Sequence, residues 1–223
     1  MPPPTIGDAT VAMDAVLKKY GPFLDPFVLA VVEKTDVNKI YRILPEDEYA
    51  PHFNSVFRNF FAAINAEALY ARKNPDQPRT QNDPLTYQTI LLARNATGAT
   101  PVIACPAFTS PAVNVWDRVI YVNKDSGLTI GTLYHEFVHY LEHGNFYPEY
   151  YSLGGNNPKI LEGVTEYLTR EVHPNIRGER ELGRKYQPFL DITLNRAWGS
   201  DKETLEKMIK VAFEGDMKSL PPP

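Results

Sequence analysis

Thr132-Leu133-Tyr134-His135-Glu136-Phe137-Val138-His139-Tyr140-Leu141-Glu142-His143-Gly144 is the stretch on which the reading of this chain turns. It contains one H-E-x-x-H. Residues four apart on a helix lie one above the other, so His135 and His139 can offer two imidazole nitrogens to one ion, with Glu136 beside them in reach of a water. Zinc sites that do chemistry use about three protein ligands and leave a fourth position open. The pattern therefore begins a site that another segment must complete. The stretch also predicts a helix. Leu133, Phe137, Val138 and Leu141 recur with the helical period, Thr129 or Thr132 can cap its start, and Gly144-Asn145 stops it. The plain alternative is an amphipathic helix with surface histidines.

Ahead of this helix, Val115 to Val122 is rich in β-branched and aromatic residues and predicts a strand. Behind it, Ile160-Leu161-Glu162-Gly163-Val164-Thr165-Glu166-Tyr167 places two more carboxylates four apart on a second predicted helix, opened by Asn157-Pro158. One of Glu162 and Glu166 can ligate a metal. The other can accept the outer N–H of a ligating histidine and so fix its tautomer. Gly163 lowers helix propensity by about 1 kcal/mol relative to alanine, and its place beside the acidic pair suggests close approach of the first helix. Alone, the pair would read as a solvated acidic face.

These residues resemble the gluzincin metallopeptidases, which carry H-E-x-x-H on one helix and a glutamate ligand on the next. The resemblance implies His135, His139 and Glu162 as ligands of Zn2+, Glu136 as general base and Glu166 as the carboxylate behind a ligating histidine. The E-G-x-x-E-Y form also looks like metallopeptidase domains of bacterial secreted effectors and toxins. It departs from thermolysin at Leu161, where asparagine would precede the ligand, and at Glu166, where aspartate would stand; both leave open which glutamate touches the metal. The likeness covers about residues 115 to 172. A metzincin pattern fails, because Glu142 and Asn145 occupy the positions of its glycine and third histidine. His143 lies one turn further and reads as a residue favoured by the helix C-terminus.

Composition bounds the rest. A chain of 223 residues with 43% hydrophobic and 22% charged residues is that of a globular protein large enough for a proper core. Its net charge of -4 gives no reason to expect nucleic acid or an anionic membrane as partner. Cys105 is alone, so no internal disulfide forms, and beside Pro106 it reads as a structural cysteine. Met1-Pro2-Pro3-Pro4 lacks the basic and apolar segments of a signal peptide, and no apolar run is long enough to span a bilayer. The sequence leaves the location open between the cytoplasm and export by a signal-independent route. The prolines at both ends read equally as short extended tails of a module that was cut from, or joins, something larger and as frayed termini.

In order along the chain, the spacing predicts a helix over 8–20, a second from Phe27 to Glu33 capped by Asp25-Pro26, and a strand from Asn38 to Leu44. A long helix follows over 55–72, with His52 as a capping or surface residue. Next come a proline-rich loop over 74–84, a strand over 86–94 and a short strand over 101–104. Residues 144–158 form a long loop bearing Tyr147, Tyr150 and Tyr151. Past Glu166, His173-Pro174 ends the second site helix, and His173 and Tyr186 are the expected donors to an oxyanion. Helices over 179–198 and 201–214 complete the chain. In the resembling family the strand before the active-site helix is a sheet edge that pairs with an extended substrate, so the Trp116 to Val122 strand is expected at an edge.

The expectation is one zincin-like α+β domain: a small mixed sheet packed on the active-site helix in an N-terminal lobe of about 1–143, and a helical C-terminal lobe of about 144–223. Its reaction is peptide-bond hydrolysis, with Glu136 taking the proton of a zinc-activated water. A peptide or protein substrate is the implied partner, and an inhibitor or immunity protein is a candidate partner for a toxin. Two rivals share the motif. One is an inactive interaction module of the same fold, which Glu136 argues against because a structural site does not need that carboxylate. The other is a toxin that hydrolyses a non-peptide amide or ester.

Overall fold

The computed structural model describes residues 3–49, 102–104, 120–125, 129–142, 158–173 and 182–221. The first helix, α1, is Ile6–Tyr20. It starts two residues before the expected 8–20 because Thr5 caps it, with Thr5 and Asp8 exchanging bonds in a capping box. A 3-10 turn leads to α2, Pro26–Lys34, where the Asp25 carboxylate accepts from the Phe27 and Val28 amides, as expected.

The predicted strand from Asn38 divides in two. Val37–Ile40 is a helical turn, α3, because the Asp36 carboxylate accepts from the Asn38 amide at 2.8 Å. Extended backbone begins only at β1, Tyr41–Leu44.

β1 joins a three-stranded mixed sheet with β2, Val102–Ala104, and β3, Ile120–Asn123, in the order β1-β3-β2. β1 runs parallel to β3, with Tyr41 opposite Ile120, and β2 runs antiparallel, with Val102 opposite Val122. The expectation that the Trp116 to Val122 strand is an edge is therefore corrected for its described part: β3 is hydrogen-bonded on both sides. Ile120 and Val122 are fully buried, and apolar residues buried on a strand suit an interior place better than an edge. The end of the sheet is latched by side chains. Asn123 donates to the Glu46 carboxylate, and the Glu46 amide donates to Asp125 at 3.0 Å.

The helix carrying the H-E-x-x-H is α4, Ile130–Leu141. Thr129 takes the cap position through its backbone alone. The helix ends at Leu141 rather than at Gly144, because the backbone of Glu142 leaves it at φ -60°, ψ 140°. Every residue from Gly131 to Glu142 is buried, so α4 is enclosed on all sides rather than amphipathic. The sheet covers one side: the Tyr41 hydroxyl donates to the Leu133 carbonyl at 2.8 Å, and its ring stacks on Phe137. α1 covers another.

The third side is α5, Pro158–Val172, which starts at the expected proline. α5 in turn packs on α6, Leu182–Leu194. Gly163 corrects the sequence expectation. A Cβ there would overlap Thr193 and the Phe189 carbonyl, so the close approach is to α6 and not to α4. α6 stops at Leu194, short of the expected Trp198, because the Arg196 amide and the Trp198 indole both donate to the Thr193 carbonyl at the helix end. α7, Asp201–Ile209, opens with a Ser200 and Glu203 capping box and continues into a π turn, Lys210–Glu214, closed by Gly215 in the left-handed region. The Tyr20 hydroxyl ties α1 to α5 by donating to the Leu168 carbonyl at 2.7 Å.

The architecture is mostly helical with a small mixed sheet, an α+β arrangement whose described elements from 158 onward are helices or helical turns. The expected long helix over 55–72, the loop over 74–84 and the strand over 86–94 lie outside the described residues, as do His52, Cys105, His143 and the tyrosines of 144–151. Among the described residues, no helix is long and apolar enough to cross a membrane.

Candidate metal centre

A fully enclosed helix should not carry two histidines and a glutamate on its middle turns unless they find partners, since burying polar groups unpaired costs several kcal/mol in total. His135, Glu136 and His139 are all buried. The two imidazoles turn their Nε2 atoms towards each other, 3.1 Å apart. α5 brings the third group. Glu162 Oε2 lies 3.2 Å from His135 Nε2 and 3.4 Å from His139 Nε2.

The three separations test whether an ion fits. An ion with tetrahedral bonds of about 2.0–2.1 Å holds its ligands about 3.3 Å apart. The observed edges of 3.1, 3.2 and 3.4 Å are close to that spacing. His135, His139 and Glu162 could hold a metal ion. A proton on either Nε2, or a metal ion, reconciles two nitrogens and a carboxylate oxygen at these distances. The acid–base behaviour of His135 shows the pull of the carboxylates around it. Burial pushes its pKa down, but the hydrogen bonds of Glu162 and Glu166 and the charges of Glu162 and Glu136 outweigh this and raise it to about 10.

Each imidazole is also held from behind. His135 Nδ1 faces Glu166 Oε2 at 3.3 Å, and the other Glu166 oxygen accepts from Arg170 Nε at 2.7 Å. Arg170 passes the contact on to Gln187 of α6, which donates to Asp191. Behind His139 stands Glu142, with Oε2 at 2.9 Å from Nδ1, and Thr165 is 3.0 Å from the same nitrogen. Among the described residues, Glu136, Glu142, Glu162 and Glu166 lie about the two imidazoles, and Arg170 pairs with Glu166.

The expected residues distribute as follows. Glu162 reaches the shared face of the two histidines with its side chain 16% exposed, whereas Glu166, fully buried, touches only the outer side of His135. Glu136 lies close enough to Tyr41 and Tyr49 that its charge, after burial, raises both phenol pKa values. Tyr186 lies against the His135 ring, with centroids 4.3 Å apart, and His173 stacks on Tyr134 at 4.6 Å. Both downstream residues therefore reach the α4 turn that carries the first ligand.

Sequence reasoning missed Glu142, Thr165, Arg170 and Tyr49. Glu142 stands three residues after His139, a spacing that puts two helical side chains side by side, and this signal was open to use. Thr165 and Arg170 follow from the same face of α5 as Glu162 and Glu166. Tyr49 carried no such signal, since only the tertiary fold brings it to Glu136.

No protein-family model, curated protein or solved structure matches this chain.

Proposed function

We propose that this chain is a zinc-dependent metallopeptidase of zincin-like fold. The observation that carries the reading is the triangle of His135 Nε2, His139 Nε2 and Glu162 Oε2 at near-tetrahedral spacing, with a glutamate between the two histidines in sequence. His135, His139 and Glu162 would hold the ion. Bound zinc supplies Lewis acidity towards a carbonyl and acidifies water. Glu136 is the group that accepts the proton of the attacking water and delivers it to the leaving nitrogen. Tyr186 and His173, whose rings lie against His135 and Tyr134, are the donors that would serve a developing oxyanion. The choice of a peptide bond rests on the resemblance of the paired motifs to gluzincins, because β3 has no free edge to offer a peptide.

The test uses the full chain, zinc-loaded, and its Glu136→Gln variant. Each is incubated with a proteome lysate, and new termini are read by mass spectrometry. Wild type should generate new termini. The variant, which keeps size and polarity but cannot take the proton, should keep its zinc and lose about 100 to 10,000-fold in rate. Zinc-bound wild type and variant with the same terminus profile would replace the enzyme with an inactive module of this fold.

A further inference from the structure

Glu142 enters the sequence reading only as the residue that breaks a histidine pattern, yet in the fold it closes a buried ring. Because α4 ends at Leu141 and the backbone of Glu142 turns away, its carboxylate folds back along the helix to His139. Oε2 lies 2.9 Å from Nδ1 of the imidazole. Thr165, from the middle of α5, donates its hydroxyl to Glu142 Oε1, and its oxygen lies 3.0 Å from His139 Nδ1. All three residues are 2% exposed or less.

The hydroxyl proton of Thr165 goes to Glu142. With Glu142 ionised and therefore only accepting, the proton facing it at 2.9 Å belongs to His139 Nδ1, and in the neutral imidazole that leaves Nε2 with its lone pair towards His135 and Glu162. A buried carboxylate is costly unless several donors meet it, and here it has two.

We propose that Glu142, braced by Thr165, is a positioning residue for His139: it holds the Nδ1–H tautomer and aims Nε2 at the ligand cluster. The two histidines are then oriented by different carboxylates, His135 by Glu166 across the helix pair and His139 by Glu142 from the end of its own helix. The resemblance does not supply this arrangement. The functional consequence rests on the metal-centre reading, whereas the tautomer does not.

The experiment uses the full chain labelled with 15N-histidine, with and without zinc, as wild type, Glu142→Ala, Glu142→Gln and Thr165→Val. In wild type, His139 should show the Nδ1–H pattern. Glu142→Ala should mix the tautomers, weaken zinc about 10 to 100-fold in competition with a chromophoric chelator, and alter the absorption of the cobalt-substituted protein. Glu142→Gln, whose amide oxygen still accepts, should restore the tautomer and recover part of the affinity. Thr165→Val should fall between them, and with Glu142→Gln it keeps the test open if the alanine variant does not fold. A merely structural role would lower the melting temperature while leaving tautomer and cobalt absorption unchanged, and that result overturns the proposal. Zinc uptake indifferent to Glu142→Ala overturns it as well while sparing the metal centre. A wild-type chain that takes up no zinc overturns the metal reading, and with it the consequence drawn for affinity.

Discussion

His135 Nε2 and His139 Nε2 face each other across 3.1 Å on a helix that is buried along almost its whole length. Turned this way, two imidazoles share either a proton or a metal ion. Purified chain in metal-free buffer should take up about one zinc per molecule by elemental analysis, and His135→Ala or His139→Ala should each abolish tight uptake.

Glu162 and Glu166 should separate by what each loses. Glu162→Ala should cost more zinc affinity than Glu166→Ala, whose loss through the outer nitrogen of His135 is about 10 to 100-fold. Metal-free stability should rank the other way. Removing Glu166 leaves Arg170 without its carboxylate in a mostly buried place, a loss of up to about 3 kcal/mol, whereas Glu162 is partly exposed and its contact with the histidines is better screened by solvent. Chelator competition and chemical denaturation of the apo variants measure the two rankings.

Gly163→Ala should destabilise the chain despite the better helix propensity of alanine. The added Cβ meets the Phe189 backbone, which cannot swing aside as a side chain end can. Overpacking of this kind costs about 1–3 kcal/mol, set against a gain of about 1 kcal/mol from propensity. Urea unfolding should show a net loss, and Thr193→Ala in the same background should return only part of it because the carbonyl contact remains.

Alkaline pH should loosen the fold through Tyr20 and Tyr41. Burial, followed by neighbouring acidic and phenolic groups, raises both pKa values, so the fold prefers the neutral phenols that donate to Leu168 and Leu133. A raised folded pKa contributes stability that is complete below the unfolded value, about 10, and is lost as pH climbs above it. Tyrosinate absorbance for these two residues should therefore appear together with the loss of helical circular dichroism. Tyr20→Phe should cost about 1 kcal/mol at neutral pH and decline less steeply above pH 10 or so.

Much of the fold was legible where a local rule acts alone. Asp25-Pro26 opens α2, Pro158 opens α5, and the four-residue spacings of His135/His139 and Glu162/Glu166 place both pairs on the facing sides of two helices. What could not be read depends on local side-chain captures that override a propensity pattern, or on contacts distant in sequence. Asn38 looks like the start of a strand until the Asp36 carboxylate captures its amide. Gly163 announces a close approach, but its spacing does not say which helix approaches. Glu142 reads as one more helical residue, and its role arises because the helix ends before it. The neighbours of β3 come from segments some eighty and twenty residues away in sequence, so its interior place follows from pairing that no local pattern encodes.

Two corners of the ligand triangle belong to α4 and the third to α5, so an ion bound there would fasten the two helices together. Separating α5 from α4 in the metal-free chain has the packing and the contacts of Thr165 and Glu166 to break. With an ion bound, the same opening would also have to release it, which at a free concentration a thousandfold above Kd adds about 4 kcal/mol to the work. Metal supply would then set how long the C-terminal helices resist hydrogen exchange and proteolysis: brief protection in chelator, and protection approaching that of the global fold when zinc is plentiful.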